Sequence, residues 1–187
     1  MALYTPAYMP TGYEIAVIQT SQGDIRVRLF GQDAPITVGN FIELSRRGFY
    51  NGTKFHRFES GFVVQGGCPH TRKMTKQEVI DGVQEPAADD SGNVVMPDKP
   101  IPGTGDPGYY IQGEWTTNQR NRHLDGSIAM ARNSDPNSAG SQFYFSLAET
   151  TSLDDGYTVF GIAMDAASLE VIHKLWKGDE VRSVVIA

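Results

Sequence analysis

Between Asp24 and Phe30 apolar Ile25, Val27 and Leu29 alternate with charged Arg26 and Arg28, the period-two pattern of a strand with one buried face. Tyr13 to Thr20 has the same character, and Ser21-Gln22-Gly23 between the two runs predicts a hairpin turn. From Pro35 the period lengthens. Val38, Phe41, Ile42 and Ser45 repeat at helical spacing, with proline in the first turn, where its missing N–H is no loss, and Gly48 at the end. Asn51-Gly52 marks a tight turn, after which strands are expected over 53–58 and 62–65, separated by Glu59-Ser60-Gly61. Residues 126–131, 142–147 and 157–163 are also strand-like. A second helix is expected to carry Leu169, Ile172, Leu175 and Trp176 on one side and to end at Gly178, with Val181 to Ile186 as the last strand.

These elements predict a mainly β fold, an eight-stranded antiparallel closed barrel capped by two α-helices. Residues 68–108 carry several prolines and glycines with little periodicity, and they predict a long loop insertion at the surface. A single domain over 1–187 is expected, with 1–12 as an N-terminal extension. A chain of 187 residues suffices for this, since at that length roughly 70% of the unfolded surface is buried on folding.

Hydrophobic residues at 40% and charged residues at 20% exclude a disordered, collagenous or coiled-coil chain. With 16 Lys and Arg against 22 Asp and Glu the net charge is -6, which repels phosphate backbones and anionic lipids, so neither nucleic acid nor membrane is an expected partner. No apolar run approaches the ~20 residues of a membrane span. The first residues lack the basic start and apolar stretch of a signal peptide, and Cys68, the single cysteine, has no internal partner. A cytoplasmic monomer is the expectation.

Several chemical signatures fail on context. Gly103-Thr104-Gly105-Asp106-Pro107-Gly108 fits a dinucleotide-binding pattern, but no strand leads in, no helix follows, and Lys99-Pro100-Ile101-Pro102 precedes it. Cys68 and His70 lack a second pair at zinc spacing, while His56, His123 and His173 are scattered, so no metal site is expected. No G-x-S-x-G elbow exists for a serine hydrolase.

Two strands break the rule of apolar inside and polar outside. In Phe62-Val63-Val64-Gln65, Val63 shares a face with Gln65; in Gln142-Phe143-Tyr144-Phe145, Gln142 shares one with Tyr144, leaving Phe143 and Phe145 for the core. A surface mixing apolar bulk with amides suits an apolar group flanked by peptide bonds.

At Phe55-His56-Arg57-Phe58, followed by Gly61-Phe62-Val63-Val64-Gln65-Gly66-Gly67, the sequence resembles the cyclophilin family of peptidyl-prolyl cis/trans isomerases. The likeness recurs, in the family's order, at Gly126-Ser127-Ile128-Ala129-Met130-Ala131, over 137–144 and over 153–161. It covers residue 13 to the C-terminus except most of 69–104. The family's capped barrel agrees with the fold predicted from periodicity.

The resemblance implies rotation of X–Pro bonds in unfolded or flexible polypeptides, which assists folding and needs no cofactor. Arg57 matches the catalytic arginine, and Gln65 would bond the substrate backbone or orient Arg57. Phe62, Val63, Tyr144 and Leu153 would form the pocket for the proline ring. Ala131, Arg132 and Asn133 match the segment that grips the substrate backbone, while Ser138, Gly140 and Gln142 border a neighbouring pocket. The partners implied are proline-containing peptides and unfolded proteins.

Departures from the family carry expectations of their own. Ser152 falls where drug-sensitive members have a tryptophan, Tyr157 stands for their histidine, and Tyr144 and Val63 replace a phenylalanine and a methionine. Weak cyclosporin binding with retained isomerase activity is expected. Tyrosine at the histidine position resembles bacterial members, and the 132–136 loop is one residue longer than in the commonest ones. The alternatives are a Pro-peptide-binding module or holdase with little turnover, and a barrel that encloses a small apolar ligand.

Overall fold

The computed structural model describes residues 1–82, 87–95 and 101–187. Of the residues that argue against a nucleotide at Gly103–Gly108, Lys99 and Pro100 lie outside that set. Strands β1 (Ile15–Thr20) and β2 (Gly23–Leu29) form the expected hairpin, paired from Ile15↔Arg28 to Thr20↔Gly23. The Thr20 hydroxyl secures its turn, donating to Gly23 O at 2.7 Å and accepting from Gln22 N at 3.1 Å. Helix α1 (Pro35–Arg46) follows. Ala34 gives it no side-chain cap; Glu114 supplies one from far along the chain, accepting from Ile36 N and from the N–H and hydroxyl of Thr37.

Strands β3 (Arg57–Glu59) and β4 (Val63–Gly66) form the second hairpin. In the excursion lie α2 (Lys76–Asp81) and a small ladder of β5 (Ala87–Ala88) with β6 (Val94–Val95). Strands β7 (Ser127–Met130), β8 (Phe143–Ser146) and β9 (Val159–Ala163), helix α3 (Ala166–Lys174) and β10 (Val181–Ile186) complete the chain. The main sheet is antiparallel, with eight strands in the order β10-β1-β2-β9-β7-β8-β4-β3.

The fold is thus mainly β as expected, with two refinements. The sheet curls but does not close by a β3/β10 ladder. Its seam consists of backbone bonds across 52–55 and 178–181, among them Phe55 N to Asp179 O at 2.9 Å and Val181 N to Thr53 O at 2.8 Å. The stretch 53–58 therefore serves two partners: its first half crosses the seam and only its end pairs with β4. The second refinement is a third helix. α2 begins at Thr75 with a reciprocal capping box to Glu78, inside a segment expected to be loop.

Residues on the inner face of the sheet make the core. Val64, Phe145 and Ile128 lie in one row across β4, β8 and β7, and join Phe143, Phe160 and, from α1, Phe41. Phe41, Tyr50 and Phe55 each meet Phe143 at steep ring angles, with centroids 6.0, 5.5 and 6.1 Å away. Each fully buried phenylalanine contributes roughly 1.5–3 kcal/mol. Ile172 brings α3 into the same cluster, and Leu175 follows it. Trp176, expected beside them, is instead exposed, because α3 stops at Lys174 and the chain turns extended at Leu175. The N-terminal extension is stitched to α1 through Glu43, which accepts from the Tyr4 hydroxyl and from Ala7 N and Tyr8 N.

Candidate active site

Strand parity decides what the outer face presents. The register Arg57↔Gln65, Gln65↔Tyr144 and Tyr144↔Ala129 sets these four residues in one row, opposite to the core row. Val63, Tyr144, Ala129 and Val159 form a second small apolar cluster there, with Phe30 and, half buried, Phe62, Ala131, Leu153 and Tyr157. Phe62 reaches this cluster although alternation from Val64 assigns it to the core. It lies before β4, in the turn where Gly61 takes φ +68° and Phe62 N bonds to Glu59 O at 3.0 Å, so strand parity does not govern it.

Two adjoining cavities open on this face. The first, about 280 Å³, is walled by Phe62, Val63, Tyr144, Leu153 and Tyr157, with Arg57, Gln65, Ala131 and Arg132 at its edge. The second, about 380 Å³, is lined by Gln65, Ala131, Arg132, Asn133, Ser138, Gly140 and Gln142, and by Gly103 to Asp106 of the glycine-rich loop. The candidate residues therefore all gather here, with Gln65, Ala131 and Arg132 between the two cavities.

The side chains are not equally free. The Arg57 side chain is 49% exposed, and its guanidinium donates to Glu59 Oε1 at 2.7 Å. Gln65 Nε2 donates to Gln142 Oε1 at 3.0 Å, and Gln142 Nε2 donates in turn to Gly103 O and Gly105 O at 2.8 and 2.9 Å. The N–H groups of those two glycines point to buried Cys68 Sγ, at 3.2 and 3.3 Å. Gly67 places that cysteine: its φ is +85°, and a Cβ there would lie 2.6 Å from Ser141 O. The base of the excursion is thus bound into the site.

Arg132 is committed to protein. Its Nε and Nη2 donate to Gly156 O, its Nη1 donates to Asn133 O at 2.9 Å, and its guanidinium lies over the rings of Trp115 and Tyr157. Asn133 uses its side-chain oxygen on Asp135 N, within its own loop. His56, beside Arg57, is held down to about 4, first by burial and then by the charges of Arg57 and Lys177, so it is neutral at physiological pH. Among the described residues no three His, Cys, Asp or Glu side chains cluster as metal ligands would, and no helix is long and apolar enough to cross a membrane.

Sequence reasoning passed over Glu59, Cys68, Trp115 and His123 as parts of this site. Glu59 had a signal, since it stands two residues from Arg57 and so shares its strand face. The other three had none, because their contacts come from distant segments.

The family model described as cyclophilin type peptidyl-prolyl cis-trans isomerase/CLD matches residues 15–186. Peptidyl-prolyl cis-trans isomerases of Helicobacter pylori (strain 26695) and Synechococcus elongatus are each 37% identical, over 92% and 91% of this chain and 86% and 94% of theirs. Among solved structures, a cyclophilin-type isomerase of Cryptosporidium parvum superimposes with TM-score 0.66 at 23% identity, over 92% of this chain and 98% of that one. A cyclophilin of Hirschia baltica gives 0.62 at 25%, over 91% and 73%. A two-faced eight-stranded sheet, an arginine at the edge of a cavity lined by Phe62, Val63 and Leu153 and a match over nearly the whole chain lead to one conclusion: this chain belongs to the cyclophilin-type peptidyl-prolyl cis-trans isomerases.

Proposed function

We propose that this isomerase turns X–Pro bonds of flexible or unfolded polypeptides in the first cavity, with Arg57 as its catalytic residue. Amide resonance sets a barrier of ~18–20 kcal/mol, and uncatalysed exchange takes tens to hundreds of seconds. Midway through the turn the proline nitrogen loses conjugation and becomes a better acceptor. A fixed cationic donor then binds the twisted state more strongly than the planar one. Arg57 supplies a permanent charge with several donors.

Magnitudes assign the remaining parts. A turnover of about 10³ s⁻¹ against roughly 10⁻² s⁻¹ asks for about 10⁵, near 7 kcal/mol. One charged hydrogen bond supplies about 1.5–3 kcal/mol, so the rest must come from the exclusion of water around Arg57 when substrate is bound, which strengthens its hold on the twisted nitrogen, while the cavity that holds the ring serves binding. Phe62, Val63, Tyr144, Leu153 and Tyr157 hold the proline ring. Gln65 and the carbonyl of Ala131, whose N–H is held by Gln142 O, bond the substrate chain. Arg132, Asn133 and Gln142 shape the second cavity for the residues before X–Pro. Arg132 does so as a wall, since its donors are occupied.

The observation that carries this reading is the Arg57 side chain, half exposed at the edge of a 280 Å³ cavity that Phe62, Val63, Tyr144, Leu153 and Tyr157 also line. The Cryptosporidium relative, solved in the presence of the dipeptide Ala-Pro, gives the ligand class to try first. We take residues 1–187 as one domain that acts as a cytoplasmic monomer. Cyclosporin binds it weakly, because exposed Ser152 offers no indole N–H. NMR exchange spectroscopy on an X–Pro peptide tests the function: enzyme-dependent exchange supports it, and peptide binding without exchange supports the holdase instead.

A further inference from the structure

Beneath the first cavity His123 and Asp154, two residues that the proposed chemistry does not use, meet the hydroxyl of the wall residue Tyr144. His123 is 0% exposed, in the segment that leads into β7. Its Nδ1 lies 2.9 Å from Asp154 Oδ1 and its Nε2 lies 2.7 Å from the Tyr144 hydroxyl. The backbone repeats the tie. His123 N donates to Asp154 Oδ1 at 2.8 Å, and Thr150 N donates to His123 O at 2.9 Å.

Donor and acceptor roles follow from the chemistry of the groups. Burial pushes the Asp154 carboxyl up, but the N–H groups of His123 and the nearby charge of Arg122 outweigh it, and it titrates below its ordinary value. Burial holds the His123 ring down, against the opposing pull of Asp154. The carboxylate only accepts, so Nδ1 carries the proton, and Nε2 accepts the proton of the phenol. Tyr144 thus turns its hydroxyl inward to His123 and gives the cavity its ring. Its neighbour in the cavity lining, Tyr157, meets it edge to face at 83°, with centroids 6.1 Å apart.

Tyr144 stands on β8, whereas Leu153 and Tyr157 stand on the 150–157 turn, which Asp154 holds. The two walls belong to different segments, and one imidazole bonds both. We propose that His123 is a positioning residue, tying the Tyr144 wall to the Leu153–Tyr157 wall and so setting the width of the cavity that receives the proline ring. This rests on reading that cavity as the proline pocket.

A consequence distinguishes positioning from catalysis. The walls touch a ring that stays fixed while the preceding carbonyl swings, so they bind planar and twisted states alike. Such uniform binding appears in KM and leaves kcat alone. Loosening the relay therefore raises KM.

The test compares the wild type with His123→Asn, Tyr144→Phe and the double variant, by kcat and KM on one X–Pro peptide. His123→Asn keeps an N–H for Asp154 and loses the acceptor for Tyr144, while Tyr144→Phe removes the same bond from its other end. Each single variant is expected to raise KM about fivefold, the size of one net hydrogen bond, with kcat within about twofold. The double variant is expected to raise it no further, since both break one bond. Unchanged KM in folded single variants, or additive effects in the double, would overturn the role. Imidazole ¹⁵N shifts of the wild type give a second readout that needs no variant to fold: a proton on Nδ1 is expected, and a proton on Nε2 overturns the relay. A wild type without turnover defeats the reading of the site. A wild type that turns over while KM ignores both substitutions defeats the role of His123 alone.

Discussion

The Arg57 guanidinium donates to the Glu59 carboxylate at 2.7 Å along the outer face of β3, both side chains being 49% exposed. The carboxylate engages the same donors that a twisting proline nitrogen needs. It competes with the transition state and weakens the donor power of the cation. An exposed ion pair of this kind contributes about 0.2–1 kcal/mol, so Glu59→Gln is expected to raise kcat/KM by roughly 1.5- to 5-fold. Added salt screens the pair and is expected to raise wild-type activity while leaving the variant nearly flat. A variant slower than wild type would mean instead that Glu59 aims the guanidinium.

Gln142 joins the second cavity to the base of the excursion. Gln142→Ala removes its bonds to Gly103 O and Gly105 O and releases Gln65. Peptides that extend before X–Pro are expected to lose about fivefold or more in KM, whereas an Xaa-Pro dipeptide changes less than about twofold. Equal losses for both lengths would show that Gln142 acts on the first cavity.

Inside the excursion, the buried Thr71 hydroxyl accepts from Lys54 N at 2.8 Å and donates to Cys68 O at 2.7 Å. Thr71→Val leaves a buried N–H and a carbonyl without these bonds. The cost is expected to be roughly 1–3 kcal/mol in urea unfolding. A change below about 0.5 kcal/mol would show that water replaces the hydroxyl.

Acid is expected to unfold the protein in two stages. His56 titrates at about 4 in the fold against 6.5 when free, with burial as its main cause. Its share of stability is present above pH 6.5 and is lost as pH falls from 6.5 towards 4, because the unfolded chain takes up the proton first. Burial raises the Glu14 carboxyl, but bonds from the Tyr8 hydroxyl and from Thr11 outweigh it and hold it at about 2 against 4.5. That share is lost as pH falls from 4.5 towards 2. Urea midpoints followed against pH are expected to fall through both windows, with His56→Gln flattening the upper one and Glu14→Gln the lower. A midpoint constant from pH 7 to 3 would contradict both.

Local pattern revealed what depends on neighbours in sequence. Ile25, Val27 and Leu29 alternate and are buried, and the parity that separates Val64 and Phe145 from Gln65 and Tyr144 is the parity of the two faces. Turns and helix ends override such patterns. Phe62 escapes alternation because Gly61 turns the chain before β4, and Trp176 leaves its helical face because α3 has ended. Thr75 and Glu78 have the spacing of a capping box and mark the start of α2, a local signal that the reading of this stretch as loop left unused. The bond from Tyr144 to His123 and the cap from Glu114 to Thr37 join segments 21 and 77 residues apart. A short window of sequence contains neither pair, and it is tertiary packing that carries the loop residues His123 and Glu114 to β8 and α1.

The central claim is that the cation of residue 57 stabilises the turning imide. Its most direct measurement is kcat/KM for Arg57→Ala on an X–Pro peptide, with the thermal transition recorded alongside. A loss of at least about 100-fold, ~2.7 kcal/mol, with an unchanged transition is the expected result. A loss under about threefold in a protein that remains folded would contradict the account, because the cavity would then be turning proline without its proposed donor.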